Sequence, residues 1–193
     1  RGTRTAGVTL KIGYYTQEIA SDPSAGVAYM DPNKKVLDYI RDTAEYVRTP
    51  EGSVSASVML DRFLFPPVAQ QQLIKSLSGG EKKRLYLLRV LMEEPNFLIL
   101  DEPANDLDIR TMEVLEDYLD RFEGIVVTVS HDRYFLDRCV RRMFAFEENH
   151  TLRQYEGGYS DYAAVKQAEE EEKQRAEREK EKKKQQKAEE VTK

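Results

Sequence analysis

The stretch Leu77-Ser78-Gly79-Gly80-Glu81-Lys82-Lys83-Arg84, followed by the apolar run Asn96-Phe97-Leu98-Ile99-Leu100 and the acids Asp101 and Glu102, constrains this chain more than any other feature. Its first part reads as a glycine-rich turn opening a helix. Paired glycines let a backbone approach a ligand, and the free N–H groups of a first helical turn form an anion site. Ser78 can cap that helix, with Glu81 at the position that completes a capping box. The second part reads as a buried strand that delivers two carboxylates at its end. A helix start and an acidic strand end in this order suit a metal–phosphate site at the edge of an α/β sheet.

Periodicity along the chain agrees with such a sheet. From Thr9 to Tyr15, Leu10, Ile12 and Tyr14 alternate with Lys11 and Gly13, which predicts a strand with the three large residues on its covered face. Asp31-Pro32 predicts a helix start, and Val36, Ile40 and Val47 extend that helix to about Tyr46. A shorter helix is expected from Ser55 through Phe63, with Val58, Met59 and Phe63 on one side and Pro66-Pro67 ending it. The strong helix from Gly79 to Met92 is followed by Phe97–Leu100, uniformly apolar as in a strand covered on both faces. Asp108 caps a helix with the stripe Ile109, Met112, Leu115, Leu119 and Phe122, and Ile125–Val129 forms a second buried strand. This helix–strand alternation predicts parallel α/β organisation. A short helix to Cys139 and antiparallel strands at Val140–Phe146 and Thr151–Tyr155 close the compact part.

Net charge is -5, so the whole chain lacks the footprint of a non-specific nucleic-acid binder, although a local basic face is compatible with that balance. The charged fraction of 34% is raised by residues from Lys166 onward, almost all Glu, Lys, Arg, Gln or Ala. That tail has no core-forming stripe. It is either a solvent-exposed helix or one half of a coiled coil, and the expected division is 1–165 for the globular part and 166–193 for the tail. One cysteine, Cys139, excludes an internal disulfide and fits a reducing compartment. Neither a signal peptide nor a long apolar run is present, so a cytoplasmic location is expected. The chain begins at Arg1 without methionine, as expected of a piece of a longer protein.

Several side chains are candidates for chemistry. Asp101 can hold Mg2+ through its hard oxygens, and Glu102 can orient or deprotonate an attacking water, the separate roles that phosphoryl transfer requires. The plainer alternative is that both acids cap a helix or face water. Gln17, just after a strand, can join a metal shell or sense a γ-phosphate, although a lone glutamine is more often a surface residue. His131 follows a buried strand and can donate to a phosphate oxygen or to the water. No Cys–His cluster suggests a structural metal. In Asn105-Asp106-Leu107-Asp108 the plain role is helix capping; the functional one is to link facing sites across a dimer.

These residues together resemble the ATP-binding-cassette ATPases. LSGGEKKR is similar to their signature motif, Asn96 to Pro103 to their Walker B strand, Val129-Ser130-His131-Asp132 to their histidine switch, and Tyr14-Tyr15-Thr16-Gln17 to their glutamine loop. The match covers about residues 7 to 165. Asp101-Glu102-Pro103-Ala104-Asn105-Asp106-Leu107-Asp108, the run His131-Asp132-Arg133-Tyr134-Phe135-Leu136 and the ending Tyr155-Glu156-Gly157-Gly158-Tyr159 narrow it to the ABC-F subfamily. Within that subfamily the second cassette of Uup-type members is most similar. The resemblance implies an incomplete P-loop NTPase cassette, with a mainly parallel sheet, antiparallel C-terminal strands and a charged C-terminal helix. It also implies ATP and Mg2+, with Asp101 and Gln17 at the metal, Glu102 as base and His131 as switch. Ser78, Gly79, Gly80, Glu81, Asp106 and Asp108 would serve nucleotide shared with a facing cassette. The implied target is the ribosome, with structured DNA or a non-catalytic interaction role as alternatives, and no membrane domain.

One departure stands out. The 193 residues contain no G-x-x-x-x-G-K-[ST] loop, and Gly2 to Gly7 cannot replace it. Without that nest of amides and its lysine the β-phosphate lacks a counter-charge. Calorimetric titration of this polypeptide with Mg-ATP is therefore expected to give weak binding and negligible turnover; micromolar affinity would contradict this.

Overall fold

The computed structural model describes residues 5–16, 26–49, 52–147 and 150–191, without the side chains of Asp106 and of residues 182–191. Gln17 lies outside the described residues. The chain divides into two compact units, Arg1–Asp132 and Arg133–Lys193.

The first unit contains β1 (Ile12–Tyr15), α1 (Val36–Arg41), the strands β2 (Tyr46–Thr49) and β3 (Gly52–Ser55), and the helices α2 (Ala56–Arg62), α3 (Pro67–Gln70) and α4 (Gly79–Met92). After these come β4 (Phe97–Asp101), α5 (Pro103–Asp106), α6 (Ile109–Asp120) and β5 (Ile125–Val129). Strands β1, β4 and β5 form a parallel sheet with β4 in the middle, aligned Tyr15 to Leu100 and Asp101 to Val129. The carboxyl ends of all three strands therefore share one edge, the edge where α/β sheets place their ligands.

The covered face of β1 is the reverse of the one its alternation predicts. Gly13 and Tyr15 are buried, while Ile12 and Tyr14 remain 38% and 42% exposed. The reason is long-range. A Cβ at Gly13 would lie 2.9 Å from the Pro95 ring and 3.1 Å from Val90, so only glycine admits this approach, and the Tyr15 ring meets Tyr86 at 5.8 Å. Leu98 and Leu100 continue the same buried face. The other face is not buried within this unit: Phe97 and Ile99 are half-buried, and Ile125, Val127 and Val129 are exposed. The expectation of strands covered on both sides is corrected here, because α4 covers one side only.

A second correction concerns residues 31–55. The Asp31 carboxylate accepts the Asn33 N–H in a turn, and the helix starts only at Val36. Tyr46–Thr49 leaves the expected helix to pair antiparallel with Gly52–Ser55. Aromatic and β-branched residues favour that pleated pairing. Ser55 then caps α2 through the Val58 N–H. Met59 and Phe63 are buried as expected, whereas Val58 is exposed. Gln70 fastens α3 to α2. Its amide donates to the carbonyls of Ser57 and Phe65 at 2.9 Å and accepts from the Ser57 hydroxyl at 2.7 Å, so both polar atoms of this buried side chain are partnered.

In the second unit α7 (Arg133–Cys139) precedes the antiparallel hairpin β6 (Arg142–Phe146) and β7 (Leu152–Glu156), and α8 (Tyr159–Val191) follows as one continuous helix of 33 residues. Gly157, at φ +97°, makes the turn into α8. The Asp137 carboxylate of α7 accepts the Ser160 N–H at 2.7 Å and its hydroxyl at 2.6 Å, which ties down the first turn of α8. Among the described residues no helix is long and apolar enough to cross a membrane.

Replacing Gly13 with Ala should force the Pro95 ring and Val90 apart and destabilise the first unit by about 1–3 kcal/mol, the usual range for overpacking. The shift in urea midpoint measures it.

Candidate functional site

Asp101 is the last residue of β4, and Thr16 follows β1 on the neighbouring strand. The buried Thr16 hydroxyl donates to Asp101 Oδ2 at 3.3 Å, which orients the carboxylate along the strand edge. Glu102 turns the chain sharply. It has φ 49° and ψ 51°, a left-handed conformation unusual for a residue with a side chain. Its N–H reaches the Val129 carbonyl at 2.8 Å, so the end of β5 holds the turn.

The Glu102 side chain is 16% exposed and gathers donors from two segments. Its Oε2 accepts the His131 N–H at 3.2 Å and the Asn105 amide at 3.4 Å, and its Oε1 stands 3.4 Å from His131 Nε2. The His131 ring is 92% exposed. A carboxylate is thus fixed at the sheet edge beside an imidazole that faces outward. Three of the sequence candidates, Asp101, Glu102 and His131, come together at this edge.

The glycine turn has the predicted capping box. Ser78 Oγ accepts the Glu81 N–H at 3.3 Å, and Glu81 Oε2 accepts the Ser78 N–H at 2.8 Å and its hydroxyl at 2.7 Å. These bonds hold the Glu81 carboxyl below the usual glutamate range. No atom lies within 4 Å of a Cβ built on Gly79 or Gly80, so the first turn of α4 is open to an approaching ligand. Farther along the chain, Asp108 Oδ1 accepts the Thr111 N–H at 2.8 Å and caps α6, as expected. That bond also lowers the Asp108 carboxyl below its ordinary value. Asp106 contributes its backbone to the end of α5.

Thr16 and Asn105 each bond one of these carboxylates, roles that the sequence reading did not assign them. Thr16 and Asn105 each sit beside a candidate and carry a hydrogen-bonding side chain, the only local signal they offer. A cavity of about 800 Å3 opens elsewhere, at the amino ends of β4 and β5, lined by Val47, Phe63, Glu94, Tyr118 and Phe122 among others. Burial there, followed by the charge of Glu94, pushes the Tyr118 phenol up to about 12. Asp101, Glu102 and His131 do not line that cavity. Among the described residues, no group of three or more His, Cys, Asp or Glu is placed to hold a metal ion.

The ABC transporter family model matches residues 4–105. The chain is 54% identical over 168 residues to the uncharacterized ABC transporter ATP-binding protein YfmR of Bacillus subtilis, an alignment covering 86% of this chain and 25% of that protein. It is 33% identical to the energy-dependent translational throttle protein EttA of Escherichia coli K12, over 86% of this chain and 28% of the relative. The chain therefore spans about a quarter of the length of the curated relatives it matches. In fold it is similar to a dimeric ATP-binding cassette in a post-hydrolysis state bound to ADP and Pi. There the TM-score is 0.52 at 19% identity, over 76% of this chain and 63% of that one.

Replacing Ser78 with Ala removes the cap and should destabilise the first unit by about 1 kcal/mol at neutral pH. Because the Glu81 carboxyl is lowered in the folded state, its contribution is complete above the unfolded glutamate value of about 4.3 and is lost as pH falls through the folded one. Thermal unfolding followed from pH 6 downward should show a smaller acid-linked loss in Ser78→Ala than in the unaltered chain.

Proposed function

The chain belongs to the ABC transporter family, as a single cassette of the ABC-F type, and from that premise we propose that it supplies the catalytic edge of a protein that hydrolyses ATP to ADP and phosphate. The observation that carries the proposal is Glu102, held in a left-handed turn at the end of β4 with its carboxylate against His131.

In this reading Glu102 takes the proton from the attacking water. Its contacts with the His131 backbone and Asn105 hold the carboxylate in one orientation, as a general base requires. The exposed His131 ring faces the γ-phosphate and donates to it. Hard oxygens from Asp101 and the Thr16 hydroxyl are compatible with Mg2+, which is typically held by one or two carboxylates together with substrate phosphates. Asp101, with Gln17, would hold the ion, and bound Mg2+ would neutralise charge on the phosphates. The open turn Ser78-Gly79-Gly80 presents the Gly79 and Gly80 N–H groups to nucleotide on a facing cassette, with the Ser78–Glu81 box holding the turn and Asp106 and Asp108 in the loop between the two sites. The similarity to a dimeric cassette bound to ADP and Pi supports that arrangement.

The target proposed for the whole protein is the ribosome. Support comes from the relative named as a translational throttle protein. Binding to structured DNA by the charged tail is the competing outcome, read by ribosome pelleting beside a DNA gel shift.

In the longer natural chain that carries this cassette, Glu102→Gln should lower turnover at least about a hundredfold, the scale of a lost general base. ATP-dependent association of cassettes should persist, as checked by light scattering. Unchanged turnover would remove the base role.

A further inference from the structure

Arg84 ends the glycine-rich stretch and, unlike Lys82 and Lys83 beside it, is almost fully buried, at 8% exposure. Burying a guanidinium costs several kcal/mol unless it is paired. Its partners are therefore informative. The guanidinium lies over the Phe65 ring at 4.8 Å. Nη1 is 3.3 Å from Asp108 Oδ2 and 3.3 Å from the Thr111 hydroxyl. Nε is buried with no hydrogen-bond partner among the described residues. The arginine thus leaves one donor unsatisfied to keep a contact with the residue that caps α6.

Asp108 ends the loop that begins at Glu102, and Arg84 sits on the second turn of α4, just beyond Ser78-Gly79-Gly80. The Arg84–Asp108 bond therefore joins the glycine turn to the loop behind the catalytic carboxylates. As a stabilising ion pair it is weak, because the Asp108 side chain is 59% exposed and solvent screens it. Its geometric content is larger. A planar cation stacked on Phe65 and bonded to the α6 cap can hold only a narrow range of separations between the two helix starts. Lysine, a point charge on a flexible stem, cannot both stack and bond in this way.

We propose that Arg84 is a positioning residue that sets the 103–108 loop against the Ser78-Gly79-Gly80 turn, so that ATP turnover, more than ATP binding, depends on it. The inference rests on the ATPase reading above and names a residue that acts through Asp108 without touching the nucleotide.

The test uses the longer natural chain, with Arg84→Lys, Arg84→Met, Asp108→Asn and the Arg84→Met/Asp108→Asn pair. Arg84→Lys should lower kcat about tenfold, equivalent to about 1.4 kcal/mol, while KM for Mg-ATP changes less than about twofold. The double variant should be no worse than the poorer single, the signature of two residues acting as a unit. Hydrogen exchange should quicken at amides 104–109 in Arg84→Met and stay unchanged in the remainder of α6. An unchanged kcat in a folded Arg84→Lys overturns the proposal, as do additive effects or exchange that rises uniformly through the first unit. If the unaltered protein shows no turnover, the ATPase reading fails, and the exchange pattern alone then decides the role of Arg84.

Discussion

Helix α4 is enclosed on nearly every side. Buried residues normally recur at three and four along a helix, yet here Arg84, Leu85, Tyr86, Leu87 and Leu88 are buried in succession, followed by Val90, Leu91 and Met92. Successive residues point about 100° apart, so such a run needs cover from several directions. Strand β1 supplies it through Tyr15 against Tyr86, and α1 and α2 supply it elsewhere. Fully burying each leucine contributes roughly 1.5–3 kcal/mol. The body of the helix cannot shift without losing several such contributions. Its amino-terminal turn, carrying Ser78, Gly79 and Gly80, is consequently held at a fixed place while remaining open.

The acidic edge is built on the opposite principle. Glu102 adopts a left-handed conformation that costs on the order of 1–3 kcal/mol, and local bonds compensate for it. The N–H of the strained residue is bound by Val129, and its carboxylate by the His131 N–H and Asn105. Both Val129 and His131 lie at the carboxyl end of β5, which is registered residue by residue on β4. Sheet pairing therefore sets the distance between acid and histidine. A residue in an ordinary extended conformation at 102 would carry its side chain away from β5.

What could be read in the sequence follows from how local each feature is. The capping box of Ser78 and Glu81 and the Asp108 cap involve residues three apart, and both were legible. The parallel strands and the gathering of Asp101, Glu102 and His131 were also legible, because apolar runs ending in polar residues mark strand ends. The inward face of β1 was not, since Gly13 is required by Pro95, some eighty residues away in the chain. Hairpin β2–β3 was hidden by Val36, Ile40 and Val47, whose helical spacing is accidental; Val47 is buried from a strand. Thr16 and Arg84 carry no signal beyond their neighbours, because their roles exist only once distant segments meet, whereas Asn105 reaches just three residues back to Glu102 and was hidden by the turn that the left-handed Glu102 makes.

Helix α8 shows how a sequence with no core-forming stripe can still begin an ordered helix. Isolated helices are limited by a nucleation constant of about 10⁻³, and the cost falls on the first turn. Here that turn is already anchored within the second unit. Tyr162 meets Tyr155 edge-on at 4.9 Å, Ser160 is bonded to Asp137, and Lys166 reaches Glu147 at 2.6 Å. The same contact raises Lys166 above the usual lysine range and lowers Glu147 below the usual glutamate one, each partner favouring the charged form of the other. Arg153 adds a bond to Glu169 from β7. Beyond this base the described side chains from Glu170 to Glu181 are solvated or nearly so, and pairs such as Gln167 with Glu171 contribute only about 0.2–0.5 kcal/mol each. Such small terms can extend a helix that has been started, but they cannot start one. The aromatic and ionic base at residues 153–169 is therefore what the charged rod depends on, and cutting the chain after Gly158 would remove the rod together with the cover of Tyr155.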